Sequence, residues 1–143
     1  MKEIFSGYNN QKERRELTAD KKELREKSML FIQYPKCTTC KKAGTWLKEK
    51  GIACESRDIK LDNPTAEELK AWIAKSGLPV RKFFNTSGQR YREMNLKDRL
   101  DAMTEEEMIG LLASDGMLVK RPLLVGERTV CVGFKESEWE KAE

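Results

Sequence analysis

The sequence predicts an α/β fold: a four-stranded mixed sheet flanked by helices, with a helical insertion at about residues 62–117. Three observations lead there. A short apolar run, Met29-Leu-Phe-Ile-Gln-Tyr34, is followed by a helical pattern and a second strand-like run within 52–59. Strand, helix, strand within ~30 residues is a βαβ unit, which sets two strands parallel. Near the C-terminus, Leu123-Leu-Val-Gly126 and Thr129-Val-Cys-Val132 flank Glu127-Arg128, as the arms of a β-hairpin flank its turn.

Each element has its own signal. Met29 to Tyr34 reads as a buried first strand that Pro35 ends. Thr38 to Lys50 carries Ala43, Trp46 and Leu47 at helical spacing, and Gly51 stops it. In Asn63-Pro-Thr-Ala-Glu-Glu-Leu, Thr65 and Glu68 have capping-box spacing, and that helix runs to about Lys75. Val80 to Phe84 fits a short helical turn after Pro79. Thr104 and Glu107 repeat the capping box at the start of a helix ending near Gly116. The stripes Leu69, Trp72, Ile73 and Met108, Leu111, Leu112 are expected core faces, Phe83 and Phe84 are expected packing residues, and Thr86-Ser-Gly88 is a turn. Phe134 to Lys141 is expected to form the last helix, with Trp139 inward. The order β-α-β, helices, β-β-α is the thioredoxin architecture with an insertion after the second strand.

The 143 residues suit one core, and 38% of them are hydrophobic. Residues 1–28 read as a charged N-terminal extension: half of them are charged, and Thr18 to Lys27 forms at most a weakly held helix. Residues 29–143 form the folded domain. The N-terminus has no secretory pattern and no run reaches the ~20 apolar residues of a membrane span, so a soluble, cytoplasmic protein without membrane contacts is expected. The net charge is +4, from 28 basic and 24 acidic residues with interspersed signs. That pattern is a mixed solvated surface rather than a nucleic-acid footprint, and direct nucleic-acid binding is not expected. Histidine is absent, which removes Cys-His and Ser-His-Asp catalysis and every His-containing metal site.

The chemistry therefore centres on Cys37 and Cys40, a Cys-x-x-Cys after a strand and at the start of a helix. Unpaired N–H groups and the helix dipole there favour a thiolate, and Lys36, Lys41 and Lys42 add positive charge. Such surroundings bring a thiol from ~8.5 to about 3.5–7.5. Cys37 is the candidate nucleophile and Cys40, one turn on, the candidate resolving thiol. Two other readings compete. A structural zinc site would need Cys54 and Cys131 beside the pair, but these fall on separate strands and form no second Cys-x-x-Cys; the pair could also be merely buried. Cys54 and Cys131 are read as packing residues, and no metal is expected. Arg121-Pro122 is the second feature. A proline just before a strand can be cis and, in a thioredoxin fold, faces the active cysteine; this makes Arg121 an anion or thiolate partner. Catalytic candidates are Cys37, Cys40 and Arg121; substrate-contact candidates are Arg121, Pro122, Lys36, Thr38 and Thr39.

Tyr34-Pro-Lys-Cys-Thr-Thr-Cys-Lys-Lys, Asn63-Pro-Thr-Ala-Glu-Glu-Leu, Phe83-Phe-Asn-Thr-Ser-Gly and Lys120-Arg-Pro-Leu-Leu together resemble the arsenate reductase (ArsC) and Spx family over about residues 29–141. The resemblance implies two roles. In the reductases a cysteine matching Cys37 attacks arsenate, which three arginines hold. Arg121 matches one of them, Asn85 stands at the position of the first, and no counterpart of the last is found near Cys131 to Lys135. The reductases usually lack a cysteine at the position of Cys40, which this chain has. Spx-type regulators carry a Cys-x-x-Cys as a redox switch and bind the C-terminal domain of the RNA polymerase α subunit. The expected function is an ArsC-like thiol oxidoreductase with no bound cofactor, reduced by glutathione, glutaredoxin or thioredoxin. The alternative is an Spx-like redox-sensing regulator.

Overall fold

The computed structural model describes residues 29–143. The expected extension 1–28 and its short helix lie outside the described residues. The sheet has four strands in the order β2-β1-β3-β4. Strand β1 is Met29–Gln33, helix α1 is Thr38–Glu49 and strand β2 is Cys54–Asp58. β1 and β2 pair parallel, as the βαβ reading requires, with Met29 opposite Cys54 and Gln33 opposite Asp58. Strands β3 (Leu123–Val125) and β4 (Val130–Val132) form the hairpin, and β3 runs antiparallel to β1.

The insertion begins with helix α2, Ala66–Ser76, whose Thr65 and Glu68 form the expected capping box. Such caps contribute about 1 kcal/mol each. Gly77 then takes a left-handed φ of 71°, which a side chain disfavours, and ends the helix. Val80–Phe83 is a 3-10 turn. Two short helices follow, α3 (Gln89–Glu93) and α4 (Leu96–Arg99), joined through Asn95 at φ 51° and continued by a 3-10 turn at Leu100–Ala102. Helix α5, Glu105–Ser114, has the second capping box, and its buried face is Met108, Ile109 and Leu112. Leu111, expected in that core face, is only half-buried, as is Ile73 in α2. The apolar run at 117–119 is not a strand: Gly116–Leu118 is a 3-10 turn, and Val119 makes an isolated antiparallel bridge to Phe84. The final helix, α6, is a single turn at Glu136–Trp139, shorter than 134–141. The Trp139 indole N–H donates to the Gly133 carbonyl at 2.9 Å and anchors that turn.

The alternation of β residues divides the core into two clusters. Ile32 and Leu123 point to the insertion side, where they meet Ile59, Leu69, Trp72, Phe83 and Leu112. Phe31 and Leu124 point to the other face, against Ala43, Trp46 and Leu47 of α1 and Trp139 of α6. Period-two alternation in a sheet covered on both faces gives this arrangement. No helix among the described residues is long and apolar enough to cross a membrane.

Candidate active site: a capped thiol on a basic cleft

Pro35 ends β1 and the chain turns within two residues, with the Cys37 N–H donating to the Tyr34 carbonyl at 2.9 Å. Cys37 is consequently the N-cap of α1, in extended conformation, and its carbonyl accepts the Lys41 N–H at 3.1 Å. Its sulfur occupies the place where a cap serine or aspartate would put an oxygen, and it accepts the Cys40 N–H at 3.4 Å. No acidic residue stands in the first turn of α1. Burial alone would raise the Cys37 thiol. The N–H and side chain of Cys40, the charge of Arg121 and the Thr39 N–H outweigh it, and the net shift is downward. Thiolate is thus enriched at Cys37.

Cys40 is 1% exposed. Its sulfur accepts the Tyr34 N–H at 3.5 Å. Burial first, then the hydrogen bond and charge of Cys37, push it up to about 12. The pair is asymmetric: a half-buried thiol shifted toward the thiolate in front and a buried thiol held protonated behind. The hydrogen bond and charge of Cys37 oppose ionisation of Cys40, and the charge of Arg121 favours it.

Arg121 is held from two sides. Its guanidinium donates to the Met117 and Val119 carbonyls, both at 3.3 Å, and lies 5.3 Å from the Tyr34 ring centroid. The Arg121–Pro122 peptide is cis. Pro122 is buried, and its carbonyl accepts the Gly133 N–H at 2.9 Å.

Cys37 opens on a cleft of ≈ 500 Å³. One wall is the turn Asn85 to Gly88, where a Cβ on Gly88 would stand 2.6 Å from the Asn85 side-chain amide nitrogen, so any larger residue there must displace that amide. The opposite wall is Lys120 and Arg121, and Val132 to Lys135 contributes the rest beside Thr39. The Phe84–Val119 bridge brings the two walls together: the Asn85 N–H donates to the Leu118 carbonyl and the Lys120 N–H to the Phe83 carbonyl, both at 2.8 Å.

Among the residues singled out from sequence, Cys37, Thr39 and Arg121 share this cleft, and Asn85 lines it as well. Lys36 and Thr38 are exposed and do not line it; Pro122 shapes it through Gly133 rather than lining it. Sequence reasoning missed Lys120 and Lys135 as cleft residues. The available signal was Lys120 beside Arg121 and Lys135 just after the hairpin, in the segment where an arginine was sought. Cys54 and Cys131 lie on β2 and β4, the edge strands, about 14 Å apart at ordinary strand spacing. Burial raises both thiols, so neither resembles Cys37 and the four cysteines do not converge.

Known proteins resemble this chain. The chain is 54% identical over 114 residues to the uncharacterized protein YusI of Bacillus subtilis, which covers 80% of this chain and 97% of that protein. It is 30% identical over 104 residues to the global transcriptional regulator Spx of Enterococcus faecalis, covering 73% of this chain and 77% of that one. The crystal structure of an ArsC-family-related protein from Bacteroides fragilis superposes with a TM-score of 0.79 at 61% identity, over 81% of this chain and 98% of that one. The model of the ArsC family matches residues 32–142, a span that holds the capped thiol, its partner Cys40 and both walls of the cleft; this chain belongs to the ArsC family.

Proposed function

We propose that the protein is a thiol–disulfide oxidoreductase whose nucleophile is Cys37, whose resolving thiol is Cys40 and whose anion partner is Arg121. The observation that carries this is the helix cap: a half-buried sulfur that accepts the Cys40 N–H, beside Arg121, with a buried second thiol one turn behind. Cys37 attacks one sulfur of a disulfide, the S–S bond breaks, and the leaving thiolate takes a proton from solvent. Cys40 then loses its proton and attacks the Cys37 sulfur, releasing the second half of the substrate as a thiol. Two electrons leave the pair, which ends as a disulfide, and a thiol donor of the glutathione, glutaredoxin or thioredoxin class restores it. A reducing cytoplasm is where that cycle operates. The cleft offers Asn85 where the arsenate reductases place an arginine, and a neutral amide holds an oxyanion more weakly. We take a disulfide rather than arsenate as the substrate.

The test is turnover of a model disulfide with each donor. The wild type turns over, Cys37→Ser does not, and Cys40→Ala stops at a mixed disulfide on Cys37 visible by mass spectrometry. No Cys37-dependent turnover with any donor would overturn the reading.

The likeness to Spx favours a second reading, in which the same pair is a redox switch and the partner is the polymerase α C-terminal domain. A pull-down with that domain, reduced against oxidised, checks it; capture that follows the oxidation state of Cys37 and Cys40 would support it.

A further inference from the structure

The cleft is larger than an inorganic oxyanion requires. A volume of ≈ 500 Å³ lies within the range of about 300–1,000 Å³ that encloses organic ligands. A tetrahedral oxyanion of five heavy atoms would leave much of it to water, at ~30 Å³ per molecule. Its charge is also one-sided: Lys120, Arg121 and Lys135 line it, and no lining residue is a carboxylate.

The three cations have different tasks. Arg121 is committed to the sulfur end by its two carbonyl contacts and the Tyr34 ring. Lys120 lies over Gly133, whose φ of 78° already favours glycine, and a Cβ there would stand 3.1 Å from the Lys120 Cε. The missing side chain at 133 gives the Lys120 stem its bed. No carboxylate pairs with Lys120 among the described residues. Lys135 has a loose exposed pair with Glu138 at 3.7 Å, a contact of small worth that an incoming anion can replace. The cleft is not purely polar either. Phe134 lines it and is fixed edge-on by Trp139 at 4.9 Å and Trp46 at 6.0 Å. One cleft therefore contains a thiolate with its arginine, an aromatic surface and two lysines.

We propose that Lys120 and Lys135 form a carboxylate subsite, and that the substrate is a small organic disulfide carrying a carboxylate. The inference rests on the oxidoreductase reading of Cys37 and deepens it. The carboxylate docks on the lysines, the carbon skeleton lies along Phe134, and the S–S bond meets Cys37. The exchange is the one written above, with the carboxylate-bearing half retained on Cys37 until Cys40 releases it.

The test uses two probes on the full chain: dianionic dithiobis(nitrobenzoate) and neutral dithiodipyridine. Each rate is taken as the fast phase that Cys37→Ser abolishes, divided by the rate of a free small thiol under the same conditions. The wild type prefers the dianionic probe by roughly tenfold, and salt erodes that preference. Lys120→Glu with Lys135→Glu lowers the preference, taken as the ratio of the two probes' rates in the same variant, by about tenfold or more. Lys120→Gln with Lys135→Gln, which keeps the stems, lowers it less and in the same direction. A fast Cys37 whose preference is indifferent to both double variants overturns the subsite and leaves the oxidoreductase reading intact. A Cys37 no faster than a free thiol with either probe overturns both.

Discussion

Replacing Arg57 with methionine should cost about 2–4 kcal/mol of folding stability. Arg57 leaves β2 with only 14% of its side chain exposed and connects the sheet to the start of the insertion. Its guanidinium donates to both oxygens of Glu68, at 2.7 and 2.8 Å, and to the carbonyls of Asp62 and Asn63, at 2.9 and 3.1 Å. It also lies 5.8 Å from the Trp72 ring centroid. Breaking a fully buried pair costs about 3–5 kcal/mol, but Glu68 is 34% exposed and water reaches it, so about 1–2 kcal/mol is the discounted figure. The ring contact contributes about 0.5–1 kcal/mol, and the two carbonyls together a similar amount. Methionine keeps the stem's packing, so the loss belongs to the charged head. Urea unfolding followed by circular dichroism should show the midpoint fall with an unchanged slope, and the melting temperature should drop by roughly 10 °C. The pH dependence gives an internal control. The hydrogen bonds from Arg57 hold the Glu68 carboxyl below its usual range, so its contribution is present above ~4.3 and is lost as pH falls through the folded value. The gap between wild type and Arg57→Met should narrow in acid by the share of the Glu68 pair, about 1–2 kcal/mol, while the carbonyl and ring contacts persist. A loss under about 1 kcal/mol at neutral pH, or a gap that does not narrow in acid, would refute the reasoning.

Two further outcomes concern the site. Tyr34→Leu removes the ring under Arg121 and should slow Cys37 alkylation at neutral pH about two- to fivefold, whereas Tyr34→Phe keeps the ring and the rate; rates against pH check it. For the reduced protein, Cys37 is lowered in the fold, so stability rises with pH from its folded value up to ~8.5. Cys40 stays protonated to about 12, so its contribution falls above ~8.5. Urea midpoints from pH 6 to 10 should pass through a maximum, with Cys37→Ser flattening the rising limb and Cys40→Ser reducing the falling one.

The parts of the fold that are local in sequence were readable there. The βαβ unit shows as two runs around a helix, and both capping boxes carry their own residues, Thr65 with Glu68 and Thr104 with Glu107. The cap role of Cys37 followed from strand, proline and helix in succession. What could not be read depends on contacts between distant residues. α3 and α4 have no apolar stripe of their own; one buried residue each, Tyr91 and Leu96, ties them to the insertion core. Leu111 and Ile109 are both apolar, and only the packing of α5 decides that Ile109 is the buried one. The cleft exists because Phe84 bridges Val119 across more than thirty residues of chain, which no window of sequence contains. Lys135 lines the same cleft as the N-cap of the one-turn last helix, which the Trp139 indole ties back to Gly133.

The two clusters on either side of the sheet have a consequence for how such a protein can change. Phe83, Phe84 and Val119, which carry the Asn85 turn and set Lys120, belong to the insertion cluster, while α1, which Cys37 caps, is rooted in the other. Mutations that reshape the selecting wall need not repack the helix that activates sulfur. On the proposed oxidoreductase reading, a chain built this way can trade one client for another, whether oxyanion, organic disulfide or protein, and keep the same reactive sulfur.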